Sequence, residues 1–289
     1  MDSRSLILKI LSVLFGVVII ASCASAPKRD VNRSDKEIYQ EAERKLQRKK
    51  YEDSRKELEN ILIRYPDSDL APLAKLGIAK AYYMERKYEE ARTEYFKFLD
   101  LHPQHEKADE AHYFLGLTYY DQIDSVDRDQ SSTQKALSEF QIVADTMPDS
   151  PYAREAAKKA EVCRKKLAEK EIYVGNFYLK RDEYKAALQR FQAVLDKYPG
   201  LGLDDQALYF KGETLWGLGQ KERAKEAYGR LIKEYPDSPY AYDAGKRLGI
   251  AMAQKPRRES SGSFFSNLLN SLRQSFKELK DSILELGRE

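Results

Sequence analysis

The sequence predicts an all-α protein built from five repeated helix-turn-helix units. Only 14 glycines and 10 prolines occur among 289 residues, and 34% of the residues are charged, a composition that favours helix over sheet. Five prolines also close similar phrases along the chain. Because proline cannot continue a helix, each of them marks a helix end. The closing prolines are Pro66, Pro103, Pro148, Pro199 and Pro236.

Each unit repeats one pattern of small and large residues. Twelve positions before the closing prolines the residues are small: Ser54, Ala91, Ala136, Ala187 and Ala224. Eight positions before them they are large and apolar: Leu58, Tyr95, Phe140, Phe191 and Tyr228. A preceding helix carries its own small residues, which are Ala42, Ala79, Gly116, Gly175 and Gly212. This unit is similar to the tetratricopeptide repeat, so the predicted fold is a tetratricopeptide-repeat superhelix with a continuous core.

The spacing between closing prolines varies, which divides the repeats into two groups. Residues 121–132 are a polar insert and predict a loop, and residues 151–181 predict one long helix that Ser150 caps. We therefore expect repeats 1–3 over residues 35–150. Repeats 4–5 and a closing helix follow over residues 151–253.

The first 34 residues predict membrane attachment by lipid. Arg4 and Lys9 precede a short apolar run that ends in the phrase IASC, which resembles a bacterial lipobox. Residues 1–22 are then a lipoprotein signal peptide, Cys23 carries the lipid, and residues 23–34 are a tether. Ala24 after the cysteine favours the outer membrane. The alternative is an ordinary signal peptide or anchor helix in which the cysteine is incidental.

Residues 254–263 predict a linker, and residues 264–289 predict an additional amphipathic helix. Its apolar residues recur at steps of three and four: Phe265, Leu268, Leu272, Phe276, Leu279, Ile283 and Leu286. A helix that lies on a membrane usually has a basic face, whereas the charges here balance. We therefore favour docking onto a protein over docking onto a membrane.

Several phrases together resemble the BamD/ComL family of outer-membrane assembly lipoproteins. They include the lipobox, AKAYYMERKYEEARTEYFKFLDLHP and the segment that begins DSPYAREAAKK. The resemblance covers about residues 23–253 and does not extend to the amphipathic tail. It implies a scaffold on the periplasmic face of the outer membrane that helps β-barrel proteins insert and fold. The implied partners are a POTRA-bearing barrel assembly protein, accessory lipoproteins and unfolded outer-membrane proteins.

The first helices of stacked repeats line a concave surface, which suits peptide binding. Candidate residues for a groove that takes the end of a substrate protein are Tyr39, Lys80, Tyr83, Tyr113 and Tyr120. Tyrosine rings could hold an aromatic residue, and Lys80 could pair with a terminal carboxylate. The alternative is that these tyrosines only pack between repeats.

Basic residues in the fourth repeat are the candidates for docking the partner. They are Arg181, Arg190 and Lys197, and an arginine fork suits a partner carboxylate. The alternative for each is an ordinary solvated helix face.

Enzymatic, metal-binding and nucleic-acid-binding functions have little support in the sequence. No phosphate loop, nucleophile elbow or zinc motif appears, so we expect no catalytic residue, no metal and no cofactor beyond the covalent lipid. The balance of 50 basic and 47 acidic residues argues against nucleic acid. An alternative to barrel assembly is an envelope lipoprotein that organises cell-wall or transport complexes.

Overall fold

A computed structural model describes residues 33–250. The signal peptide, Cys23, most of the tether, the linker and the amphipathic tail of residues 264–289 lie outside the described residues. Contacts divide the chain into two compact units, Met1–His105 and Glu106–Glu289. This division falls between the second and third repeats, whereas the grouping by sequence separates the third from the fourth.

The described part of the first unit consists of two helix pairs. Its helices are α1 (Asp35–Gln47), α2 (Tyr51–Arg64), α3 (Leu70–Met84) and α4 (Tyr88–Leu101). Each helix packs on the next one along the chain. Ile38, Leu58, Ile61 and Ile78 form the core between α1, α2 and α3.

The described part of the second unit contains three helix pairs and a closing helix. Its helices are α5 (Ala108–Tyr120), α6 (Ser131–Gln141), α7 (Ala153–Leu179), α8 (Tyr184–Lys197), α9 (Asp204–Gly217), α10 (Lys221–Glu234) and α11 (Pro239–Leu248). A π-helical turn, Ile142–Thr146, follows α6. The all-α fold of paired, tetratricopeptide-like helices is confirmed. Among the described helices, none is long and apolar enough to cross a membrane.

The paired helices approach closely where a glycine of the first helix meets a ring of the second. A methyl group at Gly116 would lie 2.8 Å from Cε1 of Phe140, and one at Gly175 would lie 2.6 Å from Cε1 of Phe191. These distances leave no room for a Cβ atom unless the ring moves. The predicted pairing of small with large residues is therefore correct at these contacts.

The long helix predicted for residues 151–181 is a single helix of 27 residues, α7. It packs against α6 and against α8, so it belongs to two successive repeats. The predicted polar insert is a loop between α5 and α6. The π-helical turn was not predicted, because the apolar spacing before Pro148 continues at helical steps.

Three serines tie the end of one repeat to the start of the same repeat. Ser68 donates a hydrogen bond to Asp35 at 2.5 Å, Ser150 donates to Asp109 at 2.6 Å, and Ser238 donates to Asp205 at 2.6 Å. Each hydroxyl also accepts the backbone N–H two residues later, at 3.0 to 3.1 Å. The prediction that Ser150 caps the long helix was wrong: α7 begins at Ala153 with Tyr152 at its N-cap position, and Ser150 accepts only the N–H of Tyr152 in the turn before the helix.

Candidate functional site

The predicted groove residues of the first unit lie on its first helices. Tyr39 on α1 is half-buried and packs against the core of α1, α2 and α3. Lys80 on α3 is also half-buried. Tyr83 is only 8% exposed, and its ring centroid lies 6.0 Å from that of Tyr88. Lys80 and Tyr39 thus present more surface than Tyr83.

Tyr113 in the second unit has the environment of a packing residue. It is 2% exposed, and its ring stacks on that of Tyr152 with centroids 4.8 Å apart. Burial raises the pKa of both phenols far above the ordinary value, so both stay neutral. In this conformation Tyr113 has no exposed surface that a ligand could contact. It therefore fits the alternative that these tyrosines pack between repeats.

Tyr120 lies beside a buried lysine that the sequence analysis did not identify. The Lys159 side chain is 8% exposed, and its Nζ lies 4.5 Å from the Tyr120 ring centroid and 4.0 Å from a Glu155 oxygen. Burial raises the pKa of Tyr120 to about 12 and lowers that of Lys159. The signal for this contact was available: Ala156, Lys159 and Cys163 form one helical stripe, which places a lysine among buried residues.

Two of the three predicted docking residues share one face of α8. Arg190 and Lys197 are seven residues apart, so they lie within about 20° around the helix and roughly 10 Å along it. Arg190 Nη1 lies 3.1 and 3.5 Å from the two carboxylate oxygens of Glu171 on α7. The Arg190 side chain is 44% exposed, and Lys197 is exposed. We call the surface formed by Glu171, Arg190 and Lys197 the α7–α8 seam.

Arg181, the third predicted docking residue, lies two residues beyond Leu179, the last residue of α7. Its guanidinium covers the ring of Phe177 at 3.6 Å from the centroid. Phe177 is six residues from Glu171, which is about 120° around the helix. The structure therefore does not bring Arg181 together with Arg190 and Lys197.

The remaining chemically reactive side chains occupy structural positions. Cys163 is buried, and burial raises the pKa of its thiol to about 12, so the thiol is protonated near neutral pH. His112 Nδ1 lies 2.8 Å from a Glu139 oxygen. Within residues 33–250, no group of three metal-ligating side chains comes together.

A family of known proteins matches most of this architecture. The family model described as YfiO, outer membrane lipoprotein, matches residues 31–229, which is more than half of the chain. The chain belongs to the YfiO outer membrane lipoprotein family.

Curated relatives of this YfiO lipoprotein carry one functional description. Outer membrane protein assembly factor BamD of Rickettsia prowazekii is 32% identical over 81% of this chain and 95% of its own length. The BamD protein of Caulobacter vibrioides is 28% identical over 82% of this chain and 80% of its own length.

Family membership establishes the role and location of this YfiO lipoprotein. It is an outer-membrane lipoprotein and a BamD-type assembly factor, a component of the BAM complex. The prediction of a scaffold rather than an enzyme is confirmed by this membership, as is the outer membrane as its location.

A solved structure gives only a weak global alignment with this YfiO lipoprotein. The TPR2AB domain of yeast Sti1 aligns over 74% of this chain and 84% of its own, with 16% identity and a TM-score of 0.35. The tetratricopeptide-like fold is evident from the helix pairs themselves.

Proposed function

We propose that the α7–α8 seam is the surface through which this lipoprotein docks the POTRA-bearing barrel assembly protein of its complex. The observation that supports the proposal is the partly exposed ion pair between Arg190 and Glu171. Only one guanidinium nitrogen of Arg190 contacts Glu171. Because a guanidinium carries five N–H donors, Arg190 retains donors for a partner carboxylate.

The positions of Lys197 and Tyr198 extend this surface along α8. Lys197 lies two turns beyond Arg190 and offers a second positive charge. Tyr198 follows Lys197 directly and is half-buried; burial raises the pKa of its phenol, and the charge of Glu171 adds to the effect. A basic strip with one central acidic group and a phenol suits a partner surface that presents carboxylates.

Two half-buried groove residues of the first unit, Tyr39 and Lys80, together with the more deeply buried Tyr83, support a second binding function. We propose that Tyr39, Lys80 and Tyr83 receive the terminal segment of an unfolded outer-membrane protein. Tyr120 lies in the second unit and would contact another part of such a substrate. Accessory lipoproteins would occupy other faces of the periplasmic scaffold, and a lipid on Cys23 would hold it at the membrane.

Charge reversal tests the docking proposal. Arg190→Glu removes the fork and places a carboxylate beside Glu171. We expect affinity for the purified POTRA-bearing protein to fall by about 30-fold or more, corresponding to ~2 kcal/mol. Surface plasmon resonance with the full lipoprotein measures this change.

Two further variants separate lost docking from lost folding. Lys185→Glu makes the same charge change on an exposed position of α8, about 140° from Arg190, and should leave binding unchanged. Glu171→Arg combined with Arg190→Glu restores the ion pair with reversed polarity. That double variant should fold with wild-type thermal stability and still bind weakly. Full binding by the double variant would refute the proposal.

A further inference from the structure

An exposed stripe of aromatic and basic residues runs along the second half of α7. Tyr173 and Phe177 are each 44% exposed, which is unusual for rings on a helix that also has a buried face. Arg181 covers Phe177, and Lys170 Nζ lies 5.6 Å from the Tyr173 ring centroid. The spacing of three and four residues places Lys170, Tyr173 and Phe177 on one line of α7, and Arg181, just beyond the end of the helix, extends this line through its contact with Phe177. We call these four residues the α7 stripe.

The α7 stripe has positive charge that the described residues leave largely uncompensated. Lys170 donates to the backbone carbonyls of Asp127 and Arg128 at 3.2 and 3.0 Å, contacts that neutralise no charge, although Asp127 and Asp129 lie within electrostatic range. Across residues 33–250, neither Lys180 nor Arg181 forms an ion pair with a carboxylate. The complementary ligand is therefore an apolar surface with an acidic border.

Residues 264–289 have this character in their sequence. Their apolar residues recur at steps of three and four and define one stripe of a helix. Glu278, Glu285 and Glu289 are spaced by seven and four residues, so they share one flank of that stripe. Arg273 and Lys280 are seven residues apart and fall on the opposite flank. The acidic and basic residues of this segment balance in number, but they lie on opposite flanks of the predicted helix.

The chain between α11 and this segment is long enough to reach the α7 stripe. Because α9 packs against both α7 and α11, the span is about two helix spacings, roughly 16–20 Å across the helices. Residues 251–263 have an extended reach of about 45 Å. A tethered segment within reach binds as an intramolecular ligand, so even weak contacts suffice to hold it.

We propose that residues 264–289 dock as an amphipathic helix on the α7 stripe of the same chain, with their acidic flank beside Lys180 and Arg181. The apolar residues of the segment cover Tyr173 and Phe177. The stripe is then a surface that the protein itself covers, distinct from the α7–α8 seam. A partner that needs Arg181 has to displace the segment first.

Site-specific photo-crosslinking tests this contact. The full lipoprotein in zwitterionic phospholipid vesicles, without partners, carries benzoyl-phenylalanine in place of Phe177. After irradiation, mass spectrometry should find the probe joined to a peptide within residues 264–289 of a chain with monomer mass. The same probe at Glu161 should give no such product, because this exposed position lies about 160° around α7 and roughly 24 Å away.

Two sets of charge reversals test the predicted orientation. Glu278→Lys, Glu285→Lys and Glu289→Lys together should lower the crosslink yield by about tenfold. Arg273→Glu, Lys277→Glu and Lys280→Glu together change the charge by an equal amount of opposite sign on the other flank and should not lower the yield by more than about twofold. Crosslinks only to a second copy, only to lipid, or to no segment would each overturn the proposal. Equal loss in both triple variants would refute the orientation.

Discussion

At the scale of single residues, we propose that Lys80 is the groove residue that distinguishes a peptide end from a peptide interior. It is half-buried on α3 and carries a positive charge. A terminal carboxylate carries a charge that an internal peptide group lacks. We predict that Lys80→Met weakens binding of a barrel-protein terminal peptide about fivefold, or ~1 kcal/mol.

Peptide chemistry provides the control for this prediction. The same peptide with an amidated terminus should bind wild type and Lys80→Met equally in fluorescence anisotropy. Lys75→Met changes another half-buried lysine of α3, about 140° away, and should affect neither peptide. If Lys80→Met weakens both peptides to the same degree, Lys80 does not recognise the carboxylate.

The sequence located candidate residues on helix faces but not their accessibility. Helical spacing placed Tyr113 outside the packing contacts, and this prediction was wrong, because its ring lies 5.9 Å from that of Phe140 on α6. It could not show that Tyr152, thirty-nine residues later, stacks on the same ring, because that contact depends on the path of the chain after the π-helical turn. Arg190 and Lys197 were easier to place together, since both lie on one helix at heptad spacing.

At the scale of helices, the serine ties join the closing phrase of a repeat to the start of its first helix. Ser150 donates to Asp109 and accepts from Tyr152 N, so its hydroxyl contributes two hydrogen bonds. We predict that Ser150→Ala lowers the free energy of unfolding of the second unit by about 1–3 kcal/mol. Asp109→Asn keeps a side-chain oxygen that can accept the hydrogen bond from Ser150, so it should lower the free energy of unfolding by less. Urea denaturation followed by circular dichroism measures both.

The matched control for the serine tie is Ser138→Ala. Ser138 is exposed on α6, so this substitution should change the free energy of unfolding by less than about 0.5 kcal/mol. Ser150→Ala with the stability of Ser138→Ala would show that the tie contributes nothing.

The helices themselves were predictable, because the closing prolines and the apolar periodicity are signals contained within short stretches of sequence. The ties were not predicted, although the phrases RYPDS, TMPDS and EYPDS each contain the serine. Their acceptors lie 33 to 41 residues earlier, and no local pattern connects the two. Ser238 is also the N-cap residue of α11, which begins at Pro239.

At the scale of the whole molecule, this chain belongs to an outer membrane lipoprotein family, so the residue that carries the lipid determines how the protein is held at the membrane. Cys23 is the predicted position and lies outside the described residues. We predict that Cys23→Ala abolishes incorporation of radiolabelled palmitate and removes the protein from the outer-membrane fraction. Several acyl chains hold a protein at a membrane stably, whereas the described helices provide no membrane span.

Cys163→Ala is the control, because that buried thiol has no predicted contact with lipid. It should leave palmitate incorporation unchanged. Retention of label by Cys23→Ala would assign the lipid to another residue.

The shared helix α7 also affects how the protein can be divided. A cut between the third and fourth repeats would leave half of a 27-residue helix without its neighbour and expose apolar side chains on both fragments. These repeats therefore gain and lose their structure together, as one cooperative folding unit. A partner that strains the α7–α8 seam on binding would therefore change the rate of amide hydrogen exchange in the third repeat.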